Sequence, residues 1–149
     1  MPEYLGVLML GALVAITYQG AVSLPERIPT HFGVSGAVDG WGPKLMLYVL
    51  VGILAVVYLG LTLLQRVPGI YNYPVKVTDE NRTRLQMIAV GMMRWMKVEI
   101  AALVTYIQWV VVQVGTHQAA GMSTPAMLGL VGLLLGTCAF FTVWLIRSK

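Results

Sequence analysis

Charge is what this sequence has least of. Only 11% of its 149 residues are Asp, Glu, Lys or Arg, less than half the roughly 25% usual in soluble domains. That scarcity excludes an ordinary soluble globular fold. Cysteine is almost missing too: Cys138 stands alone, so no intramolecular disulfide is available and the redox compartment cannot be read. It reads as a small packing residue. The chain contains no GxSxG elbow, P-loop, dinucleotide fingerprint or Cys-His pair, and so none of the common catalytic constellations. No catalytic residue is assigned, and no cofactor is expected. The opening "MPEY" has Glu3 but no Lys or Arg. The first apolar run is therefore expected to be a retained span rather than a cleaved signal peptide, although "AVS" at Ser23 has the small residues of a cleavage site.

Apolar residues fill the space that charge leaves: they make up 58% of the chain, with a mean hydropathy of +0.77. Four runs approach the roughly 20 residues that span a bilayer as a helix. They are Leu5–Ser23, Leu45–Leu64, Val98–Gly115 and Ala126–Ile146. An all-α membrane protein follows, with four transmembrane helices in one bundle and a single domain over 1–149. Within it, 1–66 forms a two-span unit with an outer loop at 24–44. Residues 67–97 form an inner loop and an amphipathic segment, and 98–149 a second two-span unit.

The net charge of +4 reports topology rather than nucleic-acid binding. With four spans, both termini and the middle loop share one side. That side carries Arg66, Lys76, Arg82, Arg84, Arg147 and Lys149, with Arg94 and Lys97 just inside the third run. Only Arg27 and Lys44 lie on the other side. The positive-inside bias puts both termini in the cytoplasm and loop 24–44 outside. In the inner loop, Thr78 is the expected N-cap of a helix that begins near Asp79 and Glu80. Leu85–Met96 either lies along the membrane surface or continues into the third span as one long helix. Thr124 and Pro125 are expected as N-cap and first residue of the fourth helix.

The outer loop, "LPERIPTHFGVSGAVDGWGPK", is long for a structureless connection, and such loops tend to be functional. Pro25 ends the first span and Pro29 stiffens the backbone. Asp39-Gly40 signals a hairpin turn between Val38 and Trp41. Phe32, Val34, Val38 and Trp41 can fold back on the helix ends, giving a compact cap. Glu26, His31, Asp39 and Lys44 supply its polar contacts, and a ligand-binding or loop-structuring role is expected of the whole set. Glu26, His31 and Asp39, joined by His117 from the same side, are the weak candidates for zinc or another divalent ion. Their spacing fits no zinc signature, so hydrogen bonds within the loop are preferred.

An ionisable residue at membrane depth is a functional candidate by default. Glu99 begins a polar stripe, Glu99–Tyr106–Gln113–His117, along one face of the third helix. It reads either as a proton or solute path, or as a structural stripe in which Glu99 pairs with Arg94 or Lys97. Position favours the second. In the fourth span Gly132 and Gly136 form a small-xxx-small pair, expected to pack within the bundle rather than in a homodimer.

The loop residues Leu24, Pro25, Ile28, Pro29, His31, Phe32, Gly36, Asp39, Gly40, Trp41, Gly42 and Lys44 resemble the hallmark of a bacterial membrane domain of unknown function. That domain forms the amino-terminal part of the SdpI family of toxin-immunity proteins. The resemblance covers the first two spans and their loop. It implies a bacterial cytoplasmic-membrane protein whose outer loop meets a secreted peptide, in an immunity or signalling role. The other readings are a non-catalytic accessory subunit of a membrane complex and an oligomeric proton-linked transporter using the Glu99 stripe.

The topology is open to direct test in a Cys138→Ser background. A membrane-impermeant maleimide should label Ser35→Cys in intact cells and Lys149→Cys only after permeabilisation. The reverse pattern would invert the assignment.

Overall fold

The computed structural model describes residues 1–149. Four helices are long and apolar enough to cross a membrane: α1 (Pro2–Ser23), α2 (Met46–Leu64), α3 (Arg82–Gly115) and α4 (Thr124–Arg147). Between α1 and α2 lie two short antiparallel strands, β1 (Arg27–Phe32) and β2 (Val38–Pro43). The chain is thus a multi-pass, all-α membrane protein with one small hairpin. Apart from the start of α3, which lies 16 residues before Val98 (82 to 98), the helix limits fall within a few residues of the four apolar runs, because a helix is how a lipid-exposed backbone meets all its own hydrogen bonds.

Helix α3 is the hub. The other three helices pack against it, while α2 and α4 scarcely touch one another. Its 34 residues extend about 50 Å, well beyond a hydrocarbon core of about 30 Å. Leu85–Met96 is therefore continuous with the third span. Its first turns carry a satellite core, in which Leu85 and Ile88 meet Phe141 and Leu145 of α4 and the side chains of Tyr73, Val75 and Val77. The Tyr71 hydroxyl donates to the Leu64 carbonyl at 2.8 Å. Burial pushes the phenols of Tyr71 and Tyr73 above their ordinary range.

Both expected N-caps shift, by three positions in α3 and by one in α4. The helix after the inner loop starts at Arg82 with Asn81 as N-cap. Thr78 instead forms a turn with Asn81: its amide donates to Asn81 Oδ1 at 2.8 Å, and the Asn81 amide donates back to Thr78 Oγ1 at 3.3 Å. In α4 the cap is Ser123, whose hydroxyl accepts from the Ala126 amide. Thr124 is drawn off because its hydroxyl donates to the Val34 carbonyl at 3.0 Å. Gly129, Gly132 and Gly136 also depart from expectation. A Cβ built on any of them meets nothing within 4 Å, so the small-xxx-small pair faces open space and does not pack within the bundle.

Two polar ties cross the apolar interior. At the end away from the hairpin, the Lys97 ammonium, 1% exposed, donates to Glu3 Oε2 at 2.8 Å and to Thr62 Oγ1 at 3.1 Å. It also sits 4.7 Å from the centroid of the Tyr58 ring, a favourable cation–π position. Arg94 approaches the same carboxylate at 3.7 Å. At the hairpin end, Gln108 Nε2 donates to Thr17 Oγ1 at 3.1 Å and to the Leu47 carbonyl at 3.2 Å. Each tie joins α1, α2 and α3.

Breaking a buried ion pair on one side leaves the other charge uncompensated. Glu3→Ala is expected to destabilise the bundle by about 2–3 kcal/mol, below the usual range because the carboxylate is half-exposed. Glu3→Ala combined with Lys97→Met should recover most of that loss, measured by reversible unfolding in mixed micelles. Strictly additive losses would contradict the pairing.

Candidate functional site

The hairpin is built by what its residues cannot do. Leu24 leaves α1 in extended conformation, with Pro25 behind it. The base is then closed by Lys44, whose ammonium donates to the Leu24 carbonyl at 2.7 Å and whose amide donates to the Glu26 carbonyl at 2.9 Å. Pro29 has no amide hydrogen to give the ladder, which favours an irregularity there. The register does shift between Pro29 and His31, and again between His31 and Phe32, so that His31 faces Gly40 and Phe32 faces Val38. Asp39 and Gly40 therefore lie within β2 and do not form the turn. The turn is Gly33–Ala37, closed by the Gly33 amide on the Ala37 carbonyl at 2.8 Å.

Two anchors hold this hairpin over the bundle. Near its base, Leu24 and Ile28 are buried with Leu47, Val111 and Val112, and Phe32 packs alongside. Val34 and Trp41, expected to fold inward, are 94% and 50% exposed. At the tip, the Met122 amide donates to the Gly36 carbonyl at 2.8 Å, beside the Thr124–Val34 bond. Gly36 has φ +82, and a Cβ there would strike the Met122 carbonyl. Only glycine suits that conformation and that contact.

The hairpin thereby bridges α2 and the α3–α4 connection, and a cavity of about 490 Å³ lies beneath it. Its walls are Met46, Leu47, Val49 and Leu50 of α2, Ile107, Gln108 and Val111 of α3, and Met127 and Leu128 of α4, with Ile28–Val34 as roof. Pockets of this size and apolar character are typical of small-molecule sites. Gln108 is fully buried, and its Oε1 has no hydrogen-bond partner. At the rim, His31 Nδ1 and Asp39 Oδ1 are in hydrogen-bonding contact, both well exposed.

The other expected site residues lie apart from this groove or take different partners. Glu26 and Trp41 are on exposed positions of the loop, whereas Pro29 is buried in the roof of the groove. No three His, Cys, Asp or Glu side chains gather into a metal-binding group. His31 and Asp39 are thus not joined by Glu26 or His117. Glu99 pairs with neither Arg94 nor Lys97, because both of those turn to Glu3. Instead Glu99 Oε1 accepts from the Thr137 hydroxyl at 2.6 Å, and Oε2 is buried without a partner. Tyr106 donates to the Ser123 carbonyl at 3.3 Å. His117 adopts φ 60 just beyond α3, the left-handed position that often ends a helix. No hydrogen bond links the four members of the stripe to each other. Gln108 and Thr17 were not singled out by the sequence; the only signal was one amide within the apolar run Tyr106–Val112.

Fold and site together define a polytopic helical membrane protein with a roofed groove at one end of its bundle. Residues 7–56 match the model of a family described as a domain of unknown function, DUF1648. The match takes in most of α1, the whole hairpin and the first half of α2, and it leaves out α3 and α4. No curated protein and no solved structure matches the chain.

Gly36→Ala forces an L-residue into the left-handed region at about 1–3 kcal/mol and pushes against the α3–α4 connection. The hairpin tip should detach, and elastase cleavage at Val34 and Ala37 in reconstituted protein should quicken severalfold. Unchanged cleavage would mean that the tip anchor does not hold the hairpin.

Proposed function

We propose that the protein is a small membrane binding protein of the SdpI-like type, with loop 24–44 as its recognition surface for an extracytoplasmic ligand. The observation that carries this reading is the groove of about 490 Å³ closed by the hairpin. A loop needed only to connect two helices has no reason to be tied at both base and tip. Rigid anchoring of this kind is what pre-organised recognition requires, since ordering is then not charged against binding. The exposed His31–Asp39 pair at the rim offers polar contacts for whatever reaches the site. The loop's hallmark residues support a secreted peptide as ligand, in an immunity or signalling role. The Lys and Arg bias supports an outward-facing hairpin in a bacterial cytoplasmic membrane.

A second reading is an accessory subunit of a larger membrane complex. It is favoured by the glycine face of α4, where Gly129, Gly132 and Gly136 meet nothing in the chain. Close helix approach is the usual use of such a face.

Affinity purification from native membranes, followed by mass spectrometry, separates these readings. Wild type is compared with a His31→Ala, Asp39→Ala double variant inserted at equal level. A peptide or small ligand held by wild type and lost from the variant is the expected result. A stoichiometric membrane protein retained by both would install the subunit reading, and two bare proteins would contradict recognition by the loop.

A further inference from the structure

The groove's position within the membrane narrows the chemistry of its occupant, given the reading that hairpin and groove form a binding site. Helix α2 begins at Met46, two residues after Lys44, so Leu47 stands at its outer end. Gln108 is bonded to the Leu47 carbonyl and so lies level with the outer end of α2. From there the groove runs into the bilayer between α2 and α4, which scarcely touch. Its lateral mouth is continuous with the lipid-facing surface, since Met46, Val49 and Leu128 are exposed on the two sides of the gap. The aqueous side is closed by a roof tied at base and tip.

We infer that the groove seats a membrane lipid, one chain lying between α2 and α4 and an O–H or N–H at the headgroup–chain junction donating to Gln108 Oε1. Three features select a lipid over a peptide for the groove itself, the exposed face of the hairpin above it remaining the surface that a secreted peptide would meet. Entry is open from the hydrocarbon and roofed from water. His31 is the sole titratable residue among the lining residues, so the groove offers little to a charged or zwitterionic chain. Gln108 Nε2 is fully committed to Thr17 and Leu47, while Oε1 has no partner. A buried acceptor left unpaired is destabilising, and one donor from a lipid glycerol hydroxyl or amide would satisfy it. The exposed His31–Asp39 pair then meets the headgroup, and the hairpin reads a ligand presented at the membrane surface.

Photo-crosslinking in native membranes tests this with the full-length protein. A benzophenone amino acid replaces Leu128, at the groove, or Leu133, an exposed α4 residue outside the lining. After irradiation and purification, the intact mass identifies the adduct. A lipid-mass adduct at position 128 should exceed that at position 133 by about fivefold, the preference one net hydrogen bond supplies. Val49→Trp, which fills the opposite wall, should abolish the excess without changing position 133. Gln108→Met should reduce it. Equal lipid adducts at both positions would overturn the lipid seat and remove the groove from the recognition site. A peptide-mass adduct at position 128 would overturn the lipid alone and leave the proposed function standing.

Discussion

One ammonium group sets the height of three helices. Lys97 is sealed inside the bundle, and a charge there is tolerable only because Glu3, Thr62 and the Tyr58 ring surround it. Those partners come from α1 and α2, so the ion pair fixes both helices lengthwise against α3. Apolar side chains alone would allow sliding by a turn, because hydrophobic contact is non-directional. Eleven residues further along α3 (97 to 108), about 16 Å at the helical rise, Gln108 repeats the arrangement with Thr17 and Leu47. Two ties on the same three helices leave no freedom of register. The base of the hairpin, whose Leu24 and Ile28 rest on Leu47, Val111 and Val112, inherits its position from them.

That rigidity explains the gap. Since α3 holds α1 and α2 by polar ties at two levels, α4 is left to pack along the remaining side of the hub. It does so mainly through Phe141 and Leu145 against Leu85 and Ile88, far from the hairpin. Near the hairpin, α4 and α2 stand apart, and the chain spans the interval with β structure instead of side chains. The groove is a consequence of this division of contacts. Its roof and its α2 wall fall within the segment matching the DUF1648 family, whereas the α3 and α4 walls fall outside it. The site is thus composite. The second half of the chain supplies Gln108 and the anchor for Gly36.

The spans were legible because length and apolarity suffice to define a membrane helix. The facing of side chains was not. Helices as uniformly apolar as α1, α2 and α4 have no polar side to betray orientation, so Gly132 and Gly136 could be read as buried when they face outward. Glu99 and Lys97 are two residues apart and therefore point to different neighbours. Sequence adjacency suggested a pairing that the helix geometry forbids. In the loop, Asp39-Gly40 is the stronger local turn signal. It yields to the left-handed Gly36 and to the tertiary bonds at Met122 and Thr124, which no local pattern announces. Gln108 was invisible for a related reason. A single amide in an apolar run acquires meaning only when Thr17 and Leu47, distant in sequence, come beside it.

The groove is a held-open feature of the protein in its own solvent. An electron cryo-microscopy structure in nanodiscs of native lipid tests that most directly. Helices α2 and α4 are expected to stand apart beneath an ordered hairpin, with continuous non-protein density running from Gln108 into the bilayer. Helices α2 and α4 closed against each other, with the cavity gone, would contradict it.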